Sequence, residues 1–324
     1  VEAIVAVGQV GLGLILVLVF AARLVRGVAG LAASLGLSAF LLSVILLGFD
    51  PENLAVGAAG AYEGASGLAL GSIIGAAMVA VALAFGITTL IVPLRFERAP
   101  LPILVLPVAA VVLLAVLAWD GELSRTDGVL LLVGYVGTVG YLWWLSRRGI
   151  DIEAEAEHEV VGETDGAHGM GTARSLGLLV VSLAGVAVGG ELLVLGSGAL
   201  IDRLGLSQTV IGMTVLALAV SIEELARELP AALQGRAEIS YGNVAGSAIG
   251  FFLLNAGLIA LVRPLEVDDP TRSFYLPVAL LTIVVVSALL ATKRVGRLAG
   301  ATLVLLYALF ALGGVVLYGL PAPS

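Results

Sequence analysis

Apolar runs of about twenty residues follow one another along the whole chain, each long enough to cross the hydrocarbon core of a bilayer as a helix. Hydrophobic residues make up 60% of the 324 residues and charged residues only 12%. A water-soluble fold of this size cannot bury that much apolar surface, so the composition implies an all-α integral membrane protein. Spans are expected near residues 3–22, 28–61, 67–92, 101–118, 128–146, 175–199, 207–233, 240–262, 274–292 and 298–319, ten in all. The first is read as a retained helix and not a leader, because no basic stretch precedes it and no small-residue cleavage pattern closes it. The absence of Cys excludes disulfides, thiolate metal sites and Cys nucleophiles.

Connector charge sets the expected orientation. Eleven basic residues, among them Arg95, Arg98, Arg147, Arg148, Lys293 and Arg294, fall in connectors after odd-numbered spans, against Arg125, Arg203, Arg263 and Arg272 after even-numbered ones. The excess predicts a multi-pass cell-membrane protein with the first set cytoplasmic and both termini outside. The segment 149–173, GIDIEAEAEHEVVGETDGAHGMGTA, is acidic and Gly-punctuated, matches no EF-hand loop and reads as a solvated cytoplasmic linker. It divides the chain into residues 1–148 and 174–324, five spans each. Nothing in the sequence points to nucleic acid, and the oligomeric state is not legible.

The stretch from Ser207 to Gly257 carries the chemistry. An uncharged helix from Val210 to Ile222 runs into Glu223, Glu224, Arg227 and Glu228, then Pro230. Charges at membrane depth cost roughly 2.5–3.5 kcal/mol each on insertion scales and usually mark an ion or substrate path. The first half has a counterpart: laid without gaps on Ile211–Ile249, residues 40–78 put Asp50 on Ser221 and Glu52-Asn53 on Glu223-Glu224. Further along, Gly71-Ser72 meets Gly242-Asn243 and Gly75 meets Gly246. With five spans per half the second copy enters the membrane upside down, and inverted repeats with broken helices mark secondary transporters. Arg227 stands three and four residues beyond Glu224 and Glu223, placed to pair with either. Glu191, inside the sixth span, is expected to be a buried acid bonded to a neighbouring helix, with a gate on access to the site as the alternative.

IGMTVLALAVSIEEL followed by ALQGRAEISYGNVAGS resembles the second alpha-repeat of the cation/calcium exchanger superfamily, which includes the sodium/calcium exchangers. Residues 40–78 resemble the first alpha-repeat more faintly, so the likeness spans most of the chain. The resemblance implies ten helices in two inverted repeats and cation antiport by alternating access, helices 1 and 6 sliding past a fixed core. The implied ions are Ca²⁺ with Na⁺ or H⁺, and no cofactor is implied. It makes Glu224 the central acid, Ser221 the hydroxyl before it and Ser247 a further neutral oxygen. Several positions depart from the family pattern. Asn53 stands at the acid position of the first repeat, Glu52 and Glu223 replace Pro, and Asp50 takes a hydroxyl position. Ala76, Ala80 and Phe251 replace expected polar ligands, and Arg227-Glu228 replaces a Thr-Ser pair.

The ion site is therefore expected to comprise Glu224, Ser221, Asp50, Glu52, Asn53, Glu223 and Ser247, with Glu224, Asp50 and Glu223 as metal ligands. Arg227, Glu228, Asn243 and Ser72 are candidate modulators, Asn243 and Ser72 competing with a packing role and Arg227 and Glu228 with a charge pair that snorkels to the interface. Two other functions compete. Paired Glu followed by Arg also marks a family of intramembrane Glu-dependent proteases, but that chemistry needs intramembrane His, and His158 and His168 both fall in the linker. A non-transporting relic of the exchanger fold would fit the missing ligands. The retained Glu224 and the added acids argue against such a relic, and a transporter, not an enzyme, is expected.

Overall fold

The computed structural model describes residues 2–34, 48–96, 100–146, 171–235 and 237–319. Helix α1 is Glu2–Ser34, α2 Pro51–Glu63, α3 Ser66–Ile91, α4 Leu101–Leu117, α5 Arg125–Ser146 and α6 Thr172–Leu204. In the second half α7 (Gln208–Ser221) bends by 49° into α8 (Glu223–Leu233). Helix α9 starts as Ala237–Ile249 and runs on to Val262, followed by α10 (Thr271–Ala291) and α11 (Arg297–Tyr318). Among the described residues eight helices are long and apolar enough to cross a membrane, or nine with the bent pair counted as one span. The fold is the expected all-helical membrane bundle.

Two sequence boundaries are corrected. A turn was expected between residues 22 and 28, yet α1 continues through Arg23 and Arg26 to Ser34. Arg26 Nε donates to Ala22 O at 3.2 Å, and the Arg23 guanidinium lies 5.1 Å from the centre of the Phe20 ring. Both arginines are thus accommodated along the helix, and nothing there breaks it. The expected linker also ends early, since α6 begins at Thr172 on an extended Gly171. Residues 149–170 of that linker, with His158 and His168, and residues 35–47 of the expected second span lie outside the described residues.

The repeat is visible in the backbone. The superposition that puts Asp50 on Ser221 also puts Val79–Ala84 of α3 on Gly250–Asn255 of α9, and both segments are wide π-type turns. It puts Leu94 of β1 (Leu94–Arg95) on Leu265 of β3 (Leu265–Glu266) as well. Strand β1 pairs with β4 (Arg294–Val295), and β2 (Glu122–Leu123) pairs with β3, so each short ribbon joins connectors from opposite repeats. Arg95 faces Arg294 in one ribbon and Glu122 faces Glu266 in the other.

Helices α3 and α9 are the most buried spans, 94% and 83% inside, while α1 and α11 lie at the periphery. Outward apolar side chains such as Leu298, Val316 and Leu305 are exposed, as lipid-facing surfaces require. Small residues let the core helices touch backbone to backbone. A Cβ placed on Gly71 of α3 would sit 2.2 Å from the carbonyl carbon of Gly212 in α7. A Cβ on Gly48, just before α2, would lie 2.1 Å from Gly246 O and 2.8 Å from Gly250 Cα of α9. These crossings bring the broken ends of α2 and α7 together at the centre.

Candidate functional site

Helix α2 begins inside the bundle, so its first-turn amides need a cap, and Asp50 supplies it. The Asp50 carboxylate accepts from Asn53 N at 2.7 Å through Oδ1 and from Asn53 Nδ2 at 3.1 Å through Oδ2. The same Nδ2 donates to Ser221 Oγ at 2.8 Å. That bond joins the α2 start to the α7 break, the two positions that the repeat superposes on one another. Asp50, Glu52, Asn53 and Ser221 are all buried. Carboxylate oxygens of Asp50, Glu52 and Glu223 lie within 4.8 Å of one another, Glu223 being partly exposed. Glu52 and Glu223 are themselves repeat mates, so the pseudo-two-fold passes close to this group.

The bend at Ile222 directs the second-repeat acids two ways. Glu223 turns to Asp50 and Glu52, with Arg227 Nη2 at 3.0 Å from its Oε1. Glu224 turns instead to α9, where Asn243 Nδ2 donates to its Oε2 at 3.1 Å and to Glu228 Oε1 at 2.9 Å. Arg227 Nη1 stands 4.0 Å from Glu224 Oε2, so the expected pairing of Arg227 with both acids is present. Two of the expected metal group, Asp50 and Glu223, come together with Glu52, while the third, Glu224, accepts from Asn243 of α9. Glu228 is 1% exposed and accepts from Asn243, so it lies inside the bundle.

Ser72 donates to Ala69 O at 2.8 Å on its own helix. Ser247 is buried one turn after Asn243 and joins neither hydrogen-bonded group among the described residues. Glu191 is exposed where a buried acid was expected, on the wall of a cavity of about 500 Å³ between α1, α2 and α6 that reaches Pro51. Sequence reasoning missed Asn255. It is fully buried on the wide turn of α9, and its Nδ2 lies 3.5 Å from Asp50 O as donor. A lone Asn in the apolar run FFLLNAG, one helical turn past Phe251, was the available signal.

Three buried amide oxygens, Oδ1 of Asn53, Asn243 and Asn255, have no hydrogen-bond partner among the described residues. With the carboxylates they form an oxygen-rich, acceptor-biased interior, the donor set that hard cations use. Among the described residues there is no His or Cys to hold a softer metal.

Similarity to known proteins agrees with this chemistry. The sequence profile described as sodium/calcium exchanger protein matches residues 5–144 and 174–315. CaxA of Alkalimonas amylolytica is 28% identical over 309 residues, 91% of this chain and 94% of that one. The sodium/calcium exchanger MaX1 of Methanosarcina acetivorans is 33% identical over 141 residues, 43% of this chain and 40% of its own. Among solved structures, the sodium-calcium exchanger NCX_Mj in Na⁺ and Sr²⁺ aligns with a TM-score of 0.60 at 25% identity, covering 97% of this chain and 98% of that one. With matching helices, a profile that spans both repeats and oxygen donors gathered where the broken helices meet, the chain belongs to the sodium/calcium exchanger protein family.

Proposed function

We propose that the protein is a secondary active cation antiporter that exchanges Ca²⁺ for Na⁺ through the carboxylates at the α2 and α7–α8 breaks. The observation that carries the reading is the convergence of Asp50, Glu52 and Glu223 to within 4.8 Å beside the Asn53–Ser221 bond, at the point where the repeats meet. Three carboxylates offer charge for a divalent ion, and Arg227 at 3.0 Å from Glu223 offsets part of it. The names of MaX1 and NCX_Mj support Na⁺ as the counter-ion. Asp50, Glu52 and Glu223 are assigned as the charged ligands, Asn53 and Ser221 as neutral oxygens, and Glu224 as the acid that sets the charge behind them. Ser247 lines α9 at the same depth and is assigned to packing.

The proposed cycle is alternating access. Helices α1 and α6 form one antiparallel pair, in close contact where a Cβ on Gly13 would lie 2.7 Å from Gly189 O. Moving that pair against the fixed crossing of α3 and α7 would open the site to one side at a time. The cavity between α1, α2 and α6 that ends at Pro51 supplies a way in, with Glu63 and Glu191 on its wall to attract cations.

Ion flux into proteoliposomes made from the full chain tests this. Ca²⁺ uptake that follows an imposed outward Na⁺ gradient, and is lost in Asp50→Asn and Glu224→Gln, is the expected result. Uptake driven by a pH gradient and indifferent to Na⁺ would replace Na⁺ by H⁺ as the coupling ion. No cation uptake under either gradient would refute antiport and favour a non-transporting member of the fold.

A further inference from the structure

The two short ribbons carry opposite charge, and the basic one lies apart from the central acids. In the ribbon of β1 and β4, Leu94 and Val295 are register partners and both are buried. Phe96, just beyond, is buried too, its ring centre 5.3 Å from that of Tyr241. Side chains alternate along a strand, so Arg95 and its register partner Arg294 are both turned outward on one face. Like charges directly opposite one another repel, and neither guanidinium makes an ion pair among the described residues. Lys293 adds a third charge beside them, and Arg297 at the start of α11 a fourth, both exposed.

The backbone sets Lys293 apart. It is the only Lys in the chain and the one non-glycine at positive φ among the described residues, at +57°. It stands just past the end of α10, its N–H donating to Leu290 O and its carbonyl accepting from Phe96 N, each at 3.0 Å. Glycine is the residue that suits a left-handed helix end. A long cationic side chain is kept there against a backbone cost that the turn itself does not require.

Position selects the partner. Helix α3 ends at Ile91, α10 ends at Ala291 and α11 begins at Arg297, so the ribbon lies at the boundary of three spans. Leu298, next to Arg297, is 83% exposed, and Leu305 and Leu312 follow it at two-turn steps on the same face, both exposed. Basic groups at the end of a lipid-facing apolar stripe match a phospholipid, phosphate against charge and acyl chain against leucine. Four positive charges favour a headgroup of net negative charge over a zwitterionic one. We propose that Arg95, Lys293, Arg294 and Arg297 hold the phosphate of an anionic phospholipid whose acyl chain lies along the Leu298–Leu305–Leu312 face of α11. The headgroup offsets the repulsion between Arg95 and Arg294 and, by bridging β1 and β4, ties together connectors of opposite repeats. The binding does not depend on the antiport reading.

The test is native mass spectrometry of the purified full chain in neutral detergent, titrated with phosphatidylglycerol or with phosphatidylcholine of the same acyl chains. Wild type is expected to retain phosphatidylglycerol in preference to phosphatidylcholine. Each lost charge should weaken that retention about fivefold, the effect of one basic residue near an anionic surface, and Arg95→Gln combined with Arg294→Gln about thirtyfold. Lys293→Gly removes a charge but suits the left-handed turn, so it should lose lipid without lowering the melting temperature measured in detergent alone. That variant keeps a folding defect from passing for a lost site. Arg174→Gln, an exposed basic residue at the start of α6 and on the same side by span count, is the charge-matched control and should behave as wild type. Wild-type retention in the Arg95–Arg294 double variant and in Lys293→Gly, or an equal loss in Arg174→Gln, would overturn the site. Displacement of phosphatidylglycerol by an equal concentration of inorganic phosphate would overturn the lipid as its occupant and make it a site for soluble anions.

Discussion

Gly250→Ala separates stability from transport. A Cβ on Gly250 would lie 1.9 Å from Gly48 O and 2.5 Å from Gly48 C. Ordinary carbon contacts begin near 3.4 Å, so the chain before α2 must retreat by roughly 1.5 Å. The obstructing atoms are backbone, so no rotamer change relieves the contact. Gly48 also sits at φ +65°, a conformation that restricts how the segment can adjust. Overpacking of this kind costs about 1–3 kcal/mol, and the better helix propensity of Ala in α9 returns about 1 kcal/mol. The expected net loss of stability is therefore about 0–2 kcal/mol. Asp50 follows Gly48 by two residues, so the same displacement moves this proposed ligand by more than an ångström. Misplacement on that scale costs about 100-fold in function. Thermal unfolding followed by Trp fluorescence, with Ca²⁺ uptake in proteoliposomes, reads both quantities. Gly137→Ala in α5 is the control: nothing lies within 4 Å of its Cβ, so it should keep full uptake and gain up to about 1 kcal/mol. Wild-type uptake by Gly250→Ala would refute the close approach of the Gly48 backbone and the tie between that segment and the site.

Three further substitutions probe single contacts. Asn53→Asp removes the Nδ2 donor shared by Asp50 and Ser221 and sets a second carboxylate about 3 Å from Asp50 Oδ2. It should lower the melting temperature in chelator and show a larger Ca²⁺-induced rise than wild type, and equal rises would count against Asp50 as a ligand. Arg227→Gln frees Glu223 from a guanidinium that is about one-third exposed, a pair worth about 0.5 kcal/mol after solvent screening. Half-saturating Ca²⁺ for uptake should fall about twofold, and a rise would mean that Arg227 orders the site and does not compete with the ion. Asn255→Leu gives up only a long bond to Asp50 O, so stability should change by less than about 1 kcal/mol. Titration of Ca²⁺ binding should nevertheless weaken severalfold if its Oδ1 serves the site, and an unchanged isotherm would confine Asn255 to packing.

The spans were legible because long apolar runs have few alternatives in a bilayer. Their ends were not: Arg23 and Arg26 look like a connector, but long basic side chains can stay on a helix by lying along its surface. The repeat was legible from a handful of matched residues, and the structure extends it to details that no residue pattern encodes. The wide turns at Val79–Ala84 and Gly250–Asn255 share almost no residue types, yet occupy equivalent places. Backbone geometry is conserved between the halves where side chains are not.

The site shows the same separation between position and partner. Polar residues inside apolar runs mark where the helices break, as Asp50, Asn53, Ser221 and Glu224 do. Spacing along a straight helix would set Ser221, Glu224 and Glu228 on one face. The 49° bend at Ile222 divides that face, joining Ser221 to Asn53 and sending Glu224 and Glu228 to Asn243. A pairwise reading of the sequence has no access to that angle. At two of the emptied family positions, though not at Ala80, a polar residue stands one turn away on the same helix. An amide replaces the acid at Asn53, and a carboxylate stands one turn earlier at Asp50. Phe251 takes a ligand position, and an amide stands one turn later at Asn255. These two displaced residues contact each other, Asn255 Nδ2 lying 3.5 Å from Asp50 O. Loss of ligands by drift would leave apolar substitutes with no order to them. Polar groups that stand one turn from Asn53 and from Phe251, and touch across the bundle, argue against simple loss of polarity at those two positions.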